Sequence, residues 1–201
     1  MIRFLASMTI EQPYNLEVIG MRNIPEKDGV LMLNNYISWI DWAIVQMTCP
    51  HPIRFVMEKS IYQCWYLPRF LDFFDIVPIS SDASKGAIET MSKLLNNGEV
   101  VCLFPGGSIS HFGQLWKFRR GYEKAAAESN GIILPFYLGG FWGSWFLRSS
   151  DKLKSISDSG IKRDIIVTFG PALSMHIKSE ELKKNRYSIF QLTPGNFIQI
   201  A

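Results

Sequence analysis

Cysteine, histidine and charge are all scarce in this chain. Its 201 residues include three Cys (Cys49, Cys64, Cys102), an odd number with no CxxC pair. That excludes a disulfide-stapled scaffold and favours a reducing, cytosol-facing compartment. With three His as well, no His/Cys/carboxylate cluster has metal-ligand spacing, so no metal is expected. Charged residues make up 19% against 47% hydrophobic, which excludes a disordered chain, a collagen and a coiled coil. No unbroken apolar run spans a bilayer. The longest charge-free stretch, residues 129–147, is cut by Gly131, Pro135, Gly139, Gly140 and Gly143. The opening MIRFLASMTIEQPY is too briefly apolar to read as a signal peptide. Net charge is only +3, too weakly basic to argue for nucleic acid, though it suits an acidic ligand or an anionic membrane surface.

Aromatic residues, by contrast, reach 13%. Phe141, Trp142, Trp145 and Phe146, with Arg148 behind them, read either as a core-covering loop or as an interfacial patch touching lipid headgroups. Short apolar runs bounded by turn residues predict strands at Leu16–Ile19, Val30–Leu33, Arg54–Met57, Ile76–Ile79, Val100–Phe104, Ile132–Leu138 and Ile165–Phe169. Between them, Ala87, Ile88, Met91, Leu94 and Leu95 share one face of a helix over 83–96, closed by Gly98. Further helices are predicted over Trp39–Gln46 (with Ser38 as cap), Arg120–Glu128 and Ser179–Arg186. The alternation predicts an α/β fold: a single domain with a largely buried mixed sheet flanked by helices. Residues 1–15 are read as a lead-in, 16–190 as the domain and 191–201 as an irregular tail without a helix pattern.

Two segments carry chemistry-bearing residues where a strand gives way to a loop. One is Asn34-Asn35-Tyr36-Ile37-Ser38-Trp39-Ile40-Asp41. The other is Phe104-Pro105-Gly106-Gly107-Ser108-Ile109-Ser110. Open α/β sheets bind ligands at strand ends, and the Gly-Gly backbone amides suit a phosphate, although a plain turn has the same sequence. Lys117, Arg119, Arg120 and Lys124 follow the second segment, as a solvated helix start or as contacts to a phosphate, coenzyme A or an acidic carrier protein. Arg54, Lys59 and Arg148 are weaker candidates for that role.

Together these segments resemble the glycerolipid acyltransferases, the lysophosphatidate acyltransferase-like family. Within it, the nearest subgroup is the acyltransferase domain of 2-acylglycerophosphoethanolamine acyltransferase. Val18-x-Gly20-x-x-Asn23-Ile24-Pro25 is similar to the family's lead-in. Asn35 through Asp41 lies on the first block, Asn-His-x-Ser-x-x-Asp. Arg54-Phe55-Val56 through Phe73-Phe74-Asp75-Ile76-Val77-Pro78-Ile79 resembles the second, Phe104-Pro105-Gly106-Gly107 the third (Phe-Pro-Glu-Gly) and Ile133-Leu134-Pro135-Phe136 the fourth.

The resemblance implies acyl transfer from a thioester to a lysophospholipid or glycerol phosphate. The first-block His takes the acceptor's proton and the Asp orients that His. No cofactor is implied; acyl-CoA or an acyl carrier protein is the candidate donor. The partners implied are the lipid acceptor and a membrane surface, with peripheral attachment on the inner, cytoplasmic face. Phe104, Pro105, Gly107, Ser108, Arg119 and Arg120 fall on the substrate-binding side of the pattern.

Two positions depart from it. Tyr36 stands where the family has His, and Gly106 where it has Glu. A phenol titrates near ~10, against about 6.5 for an imidazole, and is a poor base at neutral pH. Asp41 keeps its place without an imidazole to orient. His111, four residues beyond Gly107, is the candidate substitute base; His51 and His176 are weaker ones. The expectation is a family member with lost or greatly reduced catalysis, a pseudoenzyme. The alternatives are an active enzyme using a substitute base, a non-catalytic lipid- or carrier-binding protein, and a decayed coding sequence.

Overall fold

The computed structural model describes residues 14–34, 41–58, 76–79, 84–104, 121–140 and 163–192. The apolar runs become strands: β1 (Tyr14–Ile19), β2 (Val30–Leu33), β3 (Ile53–Glu58), β4 (Val77–Ile79), β5 (Val100–Leu103), β6 (Ile132–Gly139), β7 (Arg163–Phe169) and the short β8 (Leu173–Ser174). They form one sheet in the order β1-β7-β6-β2-β5-β3-β4, with β8 beside β6. Its centre is parallel, and β6 meets β7 antiparallel, so the sheet is mixed as the sequence predicts. Pro135 marks a handover. β6 pairs with β2 as far as Leu33↔Pro135 and then with β7 from Phe136↔Phe169, so the residue without an N–H sits where one ladder stops.

Every residue of β2 and β5 is buried, because helices cover both faces. The helices among the described residues are α1 (Asp41–Thr48), α2 (Ser84–Asn96), α3 (Gly121–Ala127) and α4 (Ser179–Leu192). Val30, Met32, Val100 and Cys102 point toward α1, whose Ala43, Ile44 and Val45 join the same cluster. Leu31, Leu33, Val101 and Leu103 point the other way, toward Ile88, Met91 and Leu95 of α2, Tyr122, Ala125 and Ala126 of α3, and Leu182 of α4. The period-two split of each strand therefore separates two cores.

Two expectations need adjustment. α4 runs past Arg186 to Leu192, so residues 191 and 192 are helical rather than part of an irregular tail. The extension is anchored by Ile189, buried two turns after Leu182 on the same face of the helix. β1 also starts at Tyr14, two residues early, because its whole length is templated by β7 through Tyr14↔Arg163 to Ile19↔Thr168. The aromatic loop at 141–148 lies outside the described residues.

Candidate functional site

The topology fixes where a ligand fits. β2 and β5 are adjacent and parallel. The chain leaving β2 goes to α1 on one face, while the chain leaving β5 goes to α3 on the other. Where successive connections diverge in this way, a crevice opens at the carboxyl ends of the strands. Asn34 and Phe104 are the residues immediately after β2 and β5 and mark its floor.

Helix α1 brings Asp41 to this place. It runs back from the carboxyl end of β2 to the start of β3, so its first residue stands over the crevice. Several contacts fix the helix. Trp42 meets Phe55 of β3 edge-on, with ring centroids 6.4 Å apart. Gln46 straps the turn to β3: its Nε2 donates to the His51 carbonyl at 3.1 Å, and its Oε1 accepts from the Ile53 N–H at 2.9 Å. At the far end the Thr48 hydroxyl donates to the Val45 carbonyl at 3.0 Å. Asp41 itself is 0% exposed, in the first turn of the helix, where a negative charge is favoured.

Beneath Asp41 lies Cys102, level with Met32 and Phe55 in the sheet. Burial pushes its thiol well above the usual value near 9.0, and the neighbouring Cys49 and Asp41 push it further. Because the fold favours the neutral thiol, the resulting stabilisation is complete below that usual value. It declines as the pH climbs from there toward the raised folded value. A thiol held neutral is a poor nucleophile. We expect native Cys102 to resist iodoacetamide at pH 8 and to react once urea unfolds the chain. Mass spectrometry of the alkylated peptides checks this; rapid labelling of the native protein would contradict it.

Of the predicted site residues, the structure describes Asp41 and Phe104 and brings both to the crevice, buried. Tyr36, Pro105, Gly106, Gly107, Ser108, His111, Arg119 and Arg120 lie outside the described residues. Arg54 is not a phosphate ligand at this site. It sits one residue into β3, at the amino end of the sheet, and its Nε donates to Glu99 Oε2 at 2.8 Å. His51 also lies before β3, and His176 follows β8, which pairs with the start of β6. Both therefore stand at the amino ends of the strands, away from the crevice. Lys124 is exposed on α3.

Sequence reading placed Asn34 in the first segment but gave it no role of its own. It is 0% exposed, and among the described residues neither its amide nitrogen nor its oxygen has a hydrogen-bond partner. Its only signal in the sequence is an amide at the end of the apolar run Val30–Leu33. Among the described residues no group of three or more His, Cys, Asp or Glu stands together as metal ligands would.

Comparison with known proteins agrees with this geometry. The Acyltransferase family profile matches residues 15–139. A 1-acyl-sn-glycerol-3-phosphate acyltransferase of Borreliella burgdorferi is 25% identical over 177 residues, 87% of this chain and 68% of its own length. A chloroplastic 1-acyl-sn-glycerol-3-phosphate acyltransferase of Arabidopsis thaliana is 23% identical over 139 residues, 67% of this chain but only 39% of its own length. Thus the match spans about two fifths of that relative. The crystal structure of a 1-acyl-sn-glycerophosphate acyltransferase from Thermotoga maritima superposes with a TM-score of 0.71, covering 95% of this chain and 78% of that one at 16% identity. The fold is the same.

Proposed function

Because the chain belongs to the acyltransferase family, we propose that it binds a lysophosphatidate-like acceptor and an acyl thioester at the crevice, with transfer lost or greatly reduced. The observation that carries this reading is Asp41, kept in its family position and buried at the head of α1 with no His in the block beside it.

In the family reaction, the acceptor hydroxyl attacks the thioester carbonyl, the hydroxyl proton moves to a base, and the thiolate leaves. Tyr36 at the His position has no affinity for that proton at neutral pH while it remains a neutral phenol. Gly106 at the Glu position supplies backbone and no carboxylate. The acyl donor is coenzyme A-linked or carrier-linked, with Arg119 and Arg120 suited to its acidic groups. The acceptor is an amphiphile, so the chain works peripherally at the inner face of a membrane. Among the described residues no helix is long and apolar enough to cross one.

Titration calorimetry tests the reading. Lysophosphatidate should bind saturably, with a dissociation constant on the order of micromolar, as for typical enzyme substrates. Lysophosphatidylethanolamine titrated beside it reads the headgroup preference suggested by the subgroup likeness. No binding of either by the folded protein would contradict the proposal.

A further inference from the structure

Among the described residues, buried side-chain polar atoms without a hydrogen-bond partner occur at Asn34, through both amide atoms, and at Asp41, through Oδ1. Buried polar groups are hydrogen-bonded in the great majority of cases, and a primary amide carries two N–H donors and a carbonyl acceptor. Asn34 is 0% exposed, and among the described residues all of that capacity is unused. Its neighbours explain why. Alternation along β2 puts Asn34 on the same sheet face as Val30 and Met32, the face that α1 covers. Asn34, Phe104 and Phe136 each follow the last residues of the β2–β5 and β2–β6 ladders, Leu33, Leu103 and Pro135, and both Phe are buried and without a polar side-chain atom. The fold thus holds a neutral donor–acceptor group, buried, at the carboxyl end of β2.

We infer that Asn34 is a ligand-binding residue whose amide takes the acceptor's free hydroxyl, donating to it through N–H and accepting from it through the carbonyl. This rests on the proposed function and deepens it. A hydroxyl matches the amide because it both donates and accepts. A phosphate only accepts and carries charge, which a buried uncharged amide does not offset. An unused amide costs the free protein stability, and a site that stores such a cost releases it when the ligand binds.

The experiment combines calorimetry with thermal unfolding on the natural chain, Asn34→Leu and Asn34→Ala. The probes are lysophosphatidate and its deoxy analogue, which lacks the free hydroxyl. The natural chain should bind lysophosphatidate about tenfold more tightly than the deoxy analogue. Asn34→Leu should bind the two equally, with lysophosphatidate weakened about tenfold and the deoxy analogue unchanged. In the absence of ligand, Asn34→Leu should melt at the same temperature as the natural chain or about 2–4 °C higher. Asn34→Ala guards against a misfit of the larger Leu, and must show the same loss of hydroxyl preference.

Two results would overturn the inference. One is an unchanged hydroxyl preference in both variants. The other is melting well below the natural chain in both variants with ligand preference intact, which would make the amide a structural bond. If the natural chain binds neither probe, the proposed function fails with the ligand assignment. The melting comparison then still decides separately whether the fold uses the amide.

Discussion

Placing His at 36 and Glu at 106 in the same chain is expected to raise acyl transfer by about 10²–10⁴ over the natural protein, the range a positioned general base contributes. The expectation rests on what is already in place. Asp41 is buried at the first turn of α1, and Trp42, Gln46 and the apolar face of α1 hold that helix on the sheet. On the proposed reading, an imidazole introduced at 36 would have a carboxylate at 41 that is already fixed in place. The pH profile should carry the signature of the new group. Transfer by the double variant should rise as pH passes through about 6.5, where His loses its proton and becomes a base. Gly106→Glu alone should gain little, since it supplies no base, and Tyr36→Phe should leave the natural chain unchanged. Labelled acyl thioester with lysophosphatidate provides the measurement. A double variant no faster than the natural chain would mean that the crevice no longer holds the acceptor.

The second large effect is structural. Gly131→Ala should cost about 3 kcal/mol or more, within the range that backbone incompatibility and overpacking produce. Gly131 has φ +132°, a conformation that L side chains rarely adopt. A Cβ there would overlap the carbonyl oxygen of Gly29, and both partners are backbone with no side chain to swing away. That carbonyl is already engaged, accepting from the Ile132 N–H at 2.9 Å, while the next residue, Val30, donates to the Glu99 carbonyl at 3.2 Å. These bonds set the amino ends of β2, β5 and β6 level, so displacing one disturbs the three strands beneath the crevice. Denaturant unfolding should show a lower midpoint at unchanged slope. A loss under about 1 kcal/mol would show that the 29–131 contact can relax cheaply.

The cores were legible because buried parallel strands are written as unbroken apolar runs. Val100–Leu103 and Ile132–Leu138 need no partner to be recognised. The 84–96 helix was legible for the equivalent reason, its apolar positions recurring on one face. Strand order was not. β1 pairs with β7 across about three quarters of the chain, and nothing local in YNLEVI specifies that. α4 was read too short, ending at Arg186, although Ile189 beyond that point is buried.

The site divides similarly. Asp41 was identifiable through the block it completes, but its burial depends on the packing of α1. Arg54 looked available for phosphate because Glu99, 45 residues away, gives no local sign of pairing with it. Asn34 was placed in the first segment without a role of its own, because an Asn after a strand is usual in a turn and nothing local shows that its amide is unpaired. Only the folded structure reveals a buried amide that has no hydrogen-bond partner among the described residues.

The central proposal is that this chain, which has the family's fold, lacks the family's base. Its most direct test is the single-turnover rate of acyl transfer to lysophosphatidate by the natural protein, measured beside the Tyr36→His, Gly106→Glu variant at equal ligand occupancy. The account predicts a natural rate at or below about one hundredth of the variant's. A natural rate equal to the variant's, and abolished by His111→Ala, would contradict it and assign the base to His111.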